Sequence, residues 1–306
     1  MVTLRHDIAG ATHQGRRDHN EDCYVADADH GLALVADGMG GHAGGEIASA
    51  IARDVVCSQL RRGQSLASAV LDAHRAIQQA AAEGAGRQGM GSTVVVAQFA
   101  ACEYQLAWVG DSRAYLWTGA SLLQITRDHS FVEGLLASAA ISLDEARHHP
   151  QRHLITQALG AGDEPPTVDR IAGELGRDDV LLLCSDGLND ELSDATLAQL
   201  IAAPASDSAA LARRLVDAAV AAGGRDNVSA VVVRAAAGAP AEGWAPAAVR
   251  RTSLDSHTQR KAAAQNPIPP PEPTLLSILV MPLGICTGLA VMVLAVVLWV
   301  TAGLGV

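Results

Sequence analysis

Short apolar runs alternate with longer amphipathic stretches over the first 234 positions. Leu32–Ala36, Val94–Phe99, Gln105–Val109, Ala114–Trp117, Val180–Cys184 and Ala230–Val233 are compact apolar runs, several bounded by Gly or Asp, and predict strands. Glu46–Gln59, Leu66–Ala82, Asp194–Ala203 and Ser208–Ala222 are Ala-rich with helical spacing of their apolar positions and predict helices. Gln105–Val109 and Ala114–Leu116, joined through Gly110-Asp111-Ser112-Arg113, predict an antiparallel hairpin. Strand-only stretches beside helix pairs favour an α+β layered fold over a doubly wound one. No internal repeat is visible, so residues 1–234 are expected to form one globular domain.

The pattern changes after that. Residues 235–273 hold Ala, Gly and Pro and finish on Pro267, Pro269, Pro270, Pro271 and Pro273, which reads as a flexible linker ending in a stiff spacer. From Pro273 to Val306 no position is charged. A membrane span needs about 20 apolar residues, so residues 274–306 predict a single transmembrane helix acting as a tail anchor. Arg250, Arg251, Arg260 and Lys261 lie before it and no Lys or Arg follows. The positive-inside rule then puts the N-terminal bulk in the cytoplasm, tethered to the cytoplasmic membrane. The start of the chain shows no basic-then-apolar leader, so no signal peptide is expected.

Composition narrows the classes. Asp and Glu number 33 against 22 Lys and Arg, a net charge of −11, which argues against a nucleic-acid partner. Aromatic residues make up only 3% of the chain, so the core must be packed from Ala, Val, Leu and Ile. The five cysteines are scattered and form no CxxC pair, which disfavours a disulfide scaffold or structural zinc and suits a reducing compartment.

The aspartates are more informative. Leu32–Ala36 runs into Asp37-Gly38, Leu106–Val109 into Gly110-Asp111, and Val180–Cys184 into Ser185-Asp186-Gly187, while Asp226-Asn227 precedes the strand Val228–Val233. A further pair, Glu21-Asp22, follows Asn20. Any one Asp-Gly is an ordinary turn signal. Four acidic strand ends together are another matter, because gathered carboxylates repel one another unless a cation neutralises them. Mg²⁺ and Mn²⁺ favour carboxylate, carbonyl and water oxygens.

Arg17-Asp18-His19-Asn20-Glu21-Asp22 and Val35-Ala36-Asp37-Gly38-Met39-Gly40-Gly41-His42-Ala43-Gly44-Gly45-Glu46 resemble the opening motifs of type 2C (metal-dependent, PPM) protein serine/threonine phosphatases. Gly91-Ser92-Thr93, Val109-Gly110-Asp111-Ser112-Arg113, Thr126-Arg127-Asp128-His129-Ser130, the stretch from Glu145 to Gly160, Cys184-Ser185-Asp186-Gly187-Leu188 and Gly224-Arg225-Asp226-Asn227-Val228-Ser229 follow in the order of the bacterial branch. The ordered matches cover residues 10–234.

The resemblance implies a four-layer αββα sandwich of two antiparallel sheets flanked by helix pairs. It also implies two Mn²⁺ or Mg²⁺ ions, with a third in some bacterial members. On the matching positions Asp37 bridges both ions, the Gly38 carbonyl completes one site, and Asp186 and Asp226 complete the other. Asp111 with Asp186 holds the third ion. Glu21, Asp22 and Asn227 hold coordinated waters or orient the ligands, and Arg17 binds the substrate phosphate. The implied reaction is hydrolysis of phosphoserine or phosphothreonine by a metal-bridged hydroxide attacking phosphorus in line. Phosphorylated proteins are the implied substrates, and the tail suggests opposition to a membrane Ser/Thr kinase. A binding module with a dead site, or a hydrolase of a small phosphorylated metabolite, remain as alternatives.

Histidines need separate treatment. Some family members carry a general-acid His directly after Asp-Gly, where this chain has Met39. His42 then reads either as a local loop residue or as a proton donor to the leaving group. His148, His149 and His153 read as solvated residues of a flap rather than a zinc cluster, and position 153 departs from the Asn usual in bacterial relatives. Cys184 reads as a buried strand residue.

Overall fold

A computed structural model describes residues 6–40, 44–86 and 88–235. In chain order the elements are β1 (Asp7–His13), β2 (Asp22–Asp27), β3 (Leu32–Met39), α1 (Gly44–Arg61), α2 (Leu66–Ala82), β4 (Gly91–Ser92), β5 (Val94–Ala100), β6 (Glu103–Val109), β7 (Arg113–Trp117), β8 (Leu122–Gln124), α3 (Phe131–Ala137), α4 (Leu143–Arg147), β9 (Asp169–Glu174), β10 (Val180–Cys184), α5 (Asp186–Asn189), α6 (Asp194–Ala202), α7 (Ser208–Ala222) and β11 (Val228–Arg234).

The strands form two sheets whose pairings are antiparallel, ordered β1-β11-β10-β7-β8 and β2-β3-β5-β6-β9, with β4 added beside β3. Alternation along each strand explains the layering, since successive side chains point to opposite faces. Ala33 and Val35 of β3 join Val95, Leu106, Leu181 and Val231 in the core between the sheets. Leu32, Leu34 and Ala36 face the other way, onto Ala52, Val56 and Val70 of α1 and α2. Leu182 and Val232 lie under Leu211 and Leu215 of α7. Both faces are covered, so these strands read as unbroken apolar runs. The αββα sandwich is as expected. The membrane span and nearly all of the linker lie outside the described residues, among which no helix is long and apolar enough to cross a membrane. The four cysteines within the described residues are free, and Cys184 is buried at the end of β10.

One expectation fails. Gln105–Val109 and Ala114–Leu116 do not form a hairpin. β6 pairs with β5 and β9, whereas β7 pairs with β10 and β8 in the opposite sheet. The intervening Gly-Asp-Ser-Arg crosses from one sheet to the other. Gly110 makes the crossing at φ 104°, and a Cβ there would lie 2.6 Å from the Thr93 methyl, so no other residue fits without displacing Thr93.

Candidate active site

The crossing delivers Asp111 to one end of the sandwich. Asp37 arrives there near the end of β3, Asp186 opens α5 directly after β10, and Asp226 sits two residues before β11. Together with Arg17, Glu21 and Gly38 they line one cleft of about 600 Å³. The gathering is held by backbone contacts more than by the carboxylates themselves. Asp37 N–H donates to Thr93 Oγ1 at 3.1 Å, Thr93 N–H donates to the Asp37 carbonyl at 2.8 Å, and Thr93 Oγ1 lies 2.7 Å from Ser112 Oγ on the crossing. Gly38 packs where a Cβ would come 2.1 Å from the Gly45 carbonyl. That close approach keeps the Asp37-Gly38 backbone against the N-terminus of α1.

Asn227 ties the other side together. Its Oδ1 accepts from Glu21 N–H at 2.8 Å, and its Nδ2 donates to the carbonyls of Gln14 and His19, each at 2.9 Å. The loop carrying Arg17 and Glu21 is thereby fixed to the start of β11. Asp22 is paired in register with Asp37 and buried between the sheets, where its Oδ2 accepts from Ser185 Oγ at 2.7 Å. Arg17 Nη2 donates to Asp226 Oδ2 at 2.6 Å on the exposed rim.

The electrostatics of the cleft are unbalanced. Burial, then the negative charges of Asp22, Asp186, Asp111 and Asp226, push the Asp37 carboxyl well above the usual range. Burial, then Asp111, Asp190 and Asp226, does the same to Asp186. Asp111 is pushed up to about 7, by burial and then by Asp128. Asp22 is pushed up to about 6, chiefly by burial and against its serine hydrogen bonds. Asp22 Oδ1 and Asp186 Oδ1 are buried without a hydrogen-bond partner. A buried acceptor left bare is costly, and an all-oxygen donor set with a close-packed Gly38 carbonyl suits hard divalent cations.

The fold therefore brings together Arg17, Glu21, Asp22, Asp37, Gly38, Asp111, Asp186, Asp226 and Asn227. His42 lies outside the described residues. His148 is exposed and His149 stacks near Phe131 at 5.9 Å, but His153 does not belong with them. It lines the cleft with Arg152, Asp190, Glu191 and Arg225, five residues without a place in the expected site. Asp190 had a usable signal, being four residues after Asp186 and so on the same side of one helical turn.

A family model described as Protein phosphatase 2C matches residues 9–221. The chain belongs to the protein phosphatase 2C family. It is 39% identical over 226 residues to serine/threonine protein phosphatase PstP of Mycobacterium tuberculosis, a match covering 71% of this chain. The chain spans 42% of the length of that relative. It is 32% identical to the serine/threonine phosphatase stp of Listeria welshimeri over 72% of this chain and 93% of the relative. A crystal structure of the catalytic domain of PstP in complex with two manganese ions superposes with a TM-score of 0.67 at 35% identity, covering 76% of this chain and all of that one. The bacterial branch of the family is thus the one this chain is similar to.

Proposed function

We propose that the chain is a metal-dependent protein phosphatase that hydrolyses phosphoserine and phosphothreonine. The observation that carries this reading is the convergence of Asp37, Asp111, Asp186 and Asp226 on one cleft, where burial and mutual repulsion push the Asp37 and Asp186 carboxyls up. Bound there, Mn²⁺ or Mg²⁺ ions would supply a nucleophilic water at neutral pH and neutralise phosphoryl charge. Asp37, the Gly38 carbonyl, Asp186 and Asp226 would hold these ions. Asp111, with Asp186, would hold a third. Glu21 and Asn227 fix the loop that presents Arg17. Asp22 stiffens β2 and β3 behind Asp37. Arg17, which donates to Asp226 on the exposed rim, would offer its planar fork to two phosphoryl oxygens. Cleft walls orient the phosphate so that attack runs opposite the Ser or Thr oxygen.

The test is release of phosphate from a phosphothreonine peptide by the 306-residue chain. Turnover should require Mn²⁺ or Mg²⁺, stop with chelator, and fall about 10³-fold or more in Asp37→Asn. Turnover indifferent to chelator would overturn the mechanism. Clean metal binding without phosphopeptide turnover would point instead to a binding module or to a small-metabolite substrate.

The reading extends to location. The uncharged segment 274–306 would hold the enzyme at the cytoplasmic face of the inner membrane, raising its effective concentration near a membrane Ser/Thr kinase and the proteins that kinase modifies. Its support is the length of the apolar run and the Lys/Arg bias before it. A chain ending at residue 270 should leave the membrane fraction; its retention there would refute the anchor.

A further inference from the structure

Three arginines meet on one rim of the cleft. Arg16 N–H donates to the Gly224 carbonyl at 2.7 Å, which sets the Arg16-Arg17 pair against Gly224-Arg225. Arg17 and Arg225 line the cleft itself, and Arg16 stands beside them, exposed. Arg17 already has a place in the reaction. Arg16 and Arg225 do not.

Arg225 is exposed but held. Its Nε donates to Glu191 Oε1 at 2.9 Å, its backbone N–H donates to the same oxygen at 3.1 Å, and Nη2 donates to Oε2 at 3.4 Å. Nη1 makes no hydrogen bond among the described residues. The anchor is firm because the Glu191 side chain is only 6% exposed, against 66% for Arg225. The hydrogen bond from Arg225 holds the Glu191 carboxyl below its ordinary value, and the charge of Arg16 adds to the effect. Two guanidinium groups therefore act on one buried carboxylate. Asp190 also acts on Arg225, from within the cleft. Asp226, the partner of Arg17, is assigned above to the cations.

We propose that Arg16 and Arg225 select phosphorylated protein segments carrying a second anionic side chain (Asp, Glu or another phosphorylated residue) close to the one being hydrolysed. The proposal rests on the phosphatase reading above and names the substrate class of that same cleft. With the target phosphate against Arg17, the neighbouring residues of the segment run along the rim that bears the other two arginines. Successive residues of an extended segment stand about 3.3 Å apart, so an anion one or two positions away falls within reach of a side chain as long as arginine. A guanidinium takes carboxylate or phosphate oxygens in a planar fork. The net charge of the chain is −11, so a cationic rim is what lets an acidic segment approach.

The experiment uses the 306-residue chain, Mn²⁺ and phosphothreonine peptides that differ in a single Glu or Gln, moved one position at a time along both sides of the phosphothreonine. The best Glu peptide should exceed its Gln counterpart about 3–10-fold in kcat/KM, through KM rather than kcat, and added salt should shrink the advantage. Arg16→Gln and Arg225→Gln should each reduce that ratio, Arg225→Lys should keep most of it, and Arg75→Gln on α2 should leave it as it was. Melting curves establish that the variants fold; Arg16→Gln leaves no buried carboxylate behind should Arg225→Gln fail. A ratio unchanged in folded Arg16→Gln and Arg225→Gln, or a preference for the Gln peptides, would overturn the proposal. Labelled copies of the peptides are also bound to Asp37→Asn and read by fluorescence anisotropy, with a doubly phosphorylated peptide added. Tighter binding of that peptide than of the Glu peptide identifies the second anion as phosphate, and the opposite order identifies it as carboxylate. Arginine-dependent preference in binding without turnover by the unmutated chain leaves the rim standing and the phosphatase reading fallen. Turnover without any preference does the opposite.

Discussion

Two buried charge clusters lie side by side at the end of the sandwich and are built in opposite ways. Arg113, two residues after Asp111, donates from Nε to both oxygens of Asp128 at 3.0 Å and from Nη2 at 2.7 Å. Its Nη1 reaches Tyr115 Oη, and Gln124 adds a further bond to Asp128. Burial works against the Arg113 charge, yet Asp128 and Tyr115 more than offset it and hold the guanidinium above its usual pKa. Asp37 and Asp186 are also deeply placed, but the charges acting on them are other carboxylates, Asp111, Asp22 and Asp226 among them. The contrast separates a structural ion pair, complete within the chain, from a site whose balancing charge must come from outside.

Mutations should split the two clusters in opposite directions. The largest effect is expected from Asp37→Asn: phosphopeptide turnover falls about 10³-fold or more, while the melting temperature of the chelated protein rises because one repelling carboxylate is gone. A fall in both would mean that Asp37 is also a structural keystone. Arg113→Met should do the reverse, leaving the buried Asp128 without its countercharge at about 3–5 kcal/mol of stability, measured by denaturant unfolding with and without metal. Next comes Asn227→Ala, which unties the Arg17 loop from β11. It should lower kcat/KM about 10–100-fold, with chelated stability dropping by about 1–3 kcal/mol for the groups left unbonded.

The smallest expected effect is a pH slope. The carboxyls of Asp22 and Asp111 titrate near 6 and 7 in the fold, above their ordinary values. The folded protein then binds more protons than the unfolded chain between about pH 4 and 7, so stability is full below that window and declines as pH rises through it. The chelated protein should melt lower at pH 8 than at pH 5, and saturating Mn²⁺ should flatten the slope. A chelated protein whose melting temperature rises across that window would show that the cluster is already neutralised from within.

How much of this was legible in the sequence depends on what a residue's neighbours share with it. β3, β5 and β10 are covered on both faces, so their apolar runs announced them. β1, β2 and β9 did not, because Asp7–His13, Asp22–Asp27 and Asp169–Glu174 mix polar with half-buried positions and lack a clean alternation. The Gly-Asp-Ser-Arg turn looked like a hairpin because a short polar loop between two apolar runs is the usual hairpin signal. The decisive contact, Gly110 against Thr93, is remote in sequence. Ordered motifs revealed the site carboxylates, but His153 reaches the cleft only through the path of the intervening chain, which local spacing does not encode.

The placement of β11 carries a consequence for how the molecule comes into being. It is the last strand of the described residues, yet it lies inside its sheet, paired with β1 from Asp7↔Arg234 to His13↔Val228 on one side and with β10 on the other. Asp226 and Asn227 stand at its threshold. A nascent chain lacking these residues has neither the complete cleft nor the bridge between β1 and β10. Contacts between such distant parts of a chain form slowly, and synthesis proceeds from the N-terminus. The complete acidic cleft therefore arrives in one late step, and a chain interrupted before β11 lacks it.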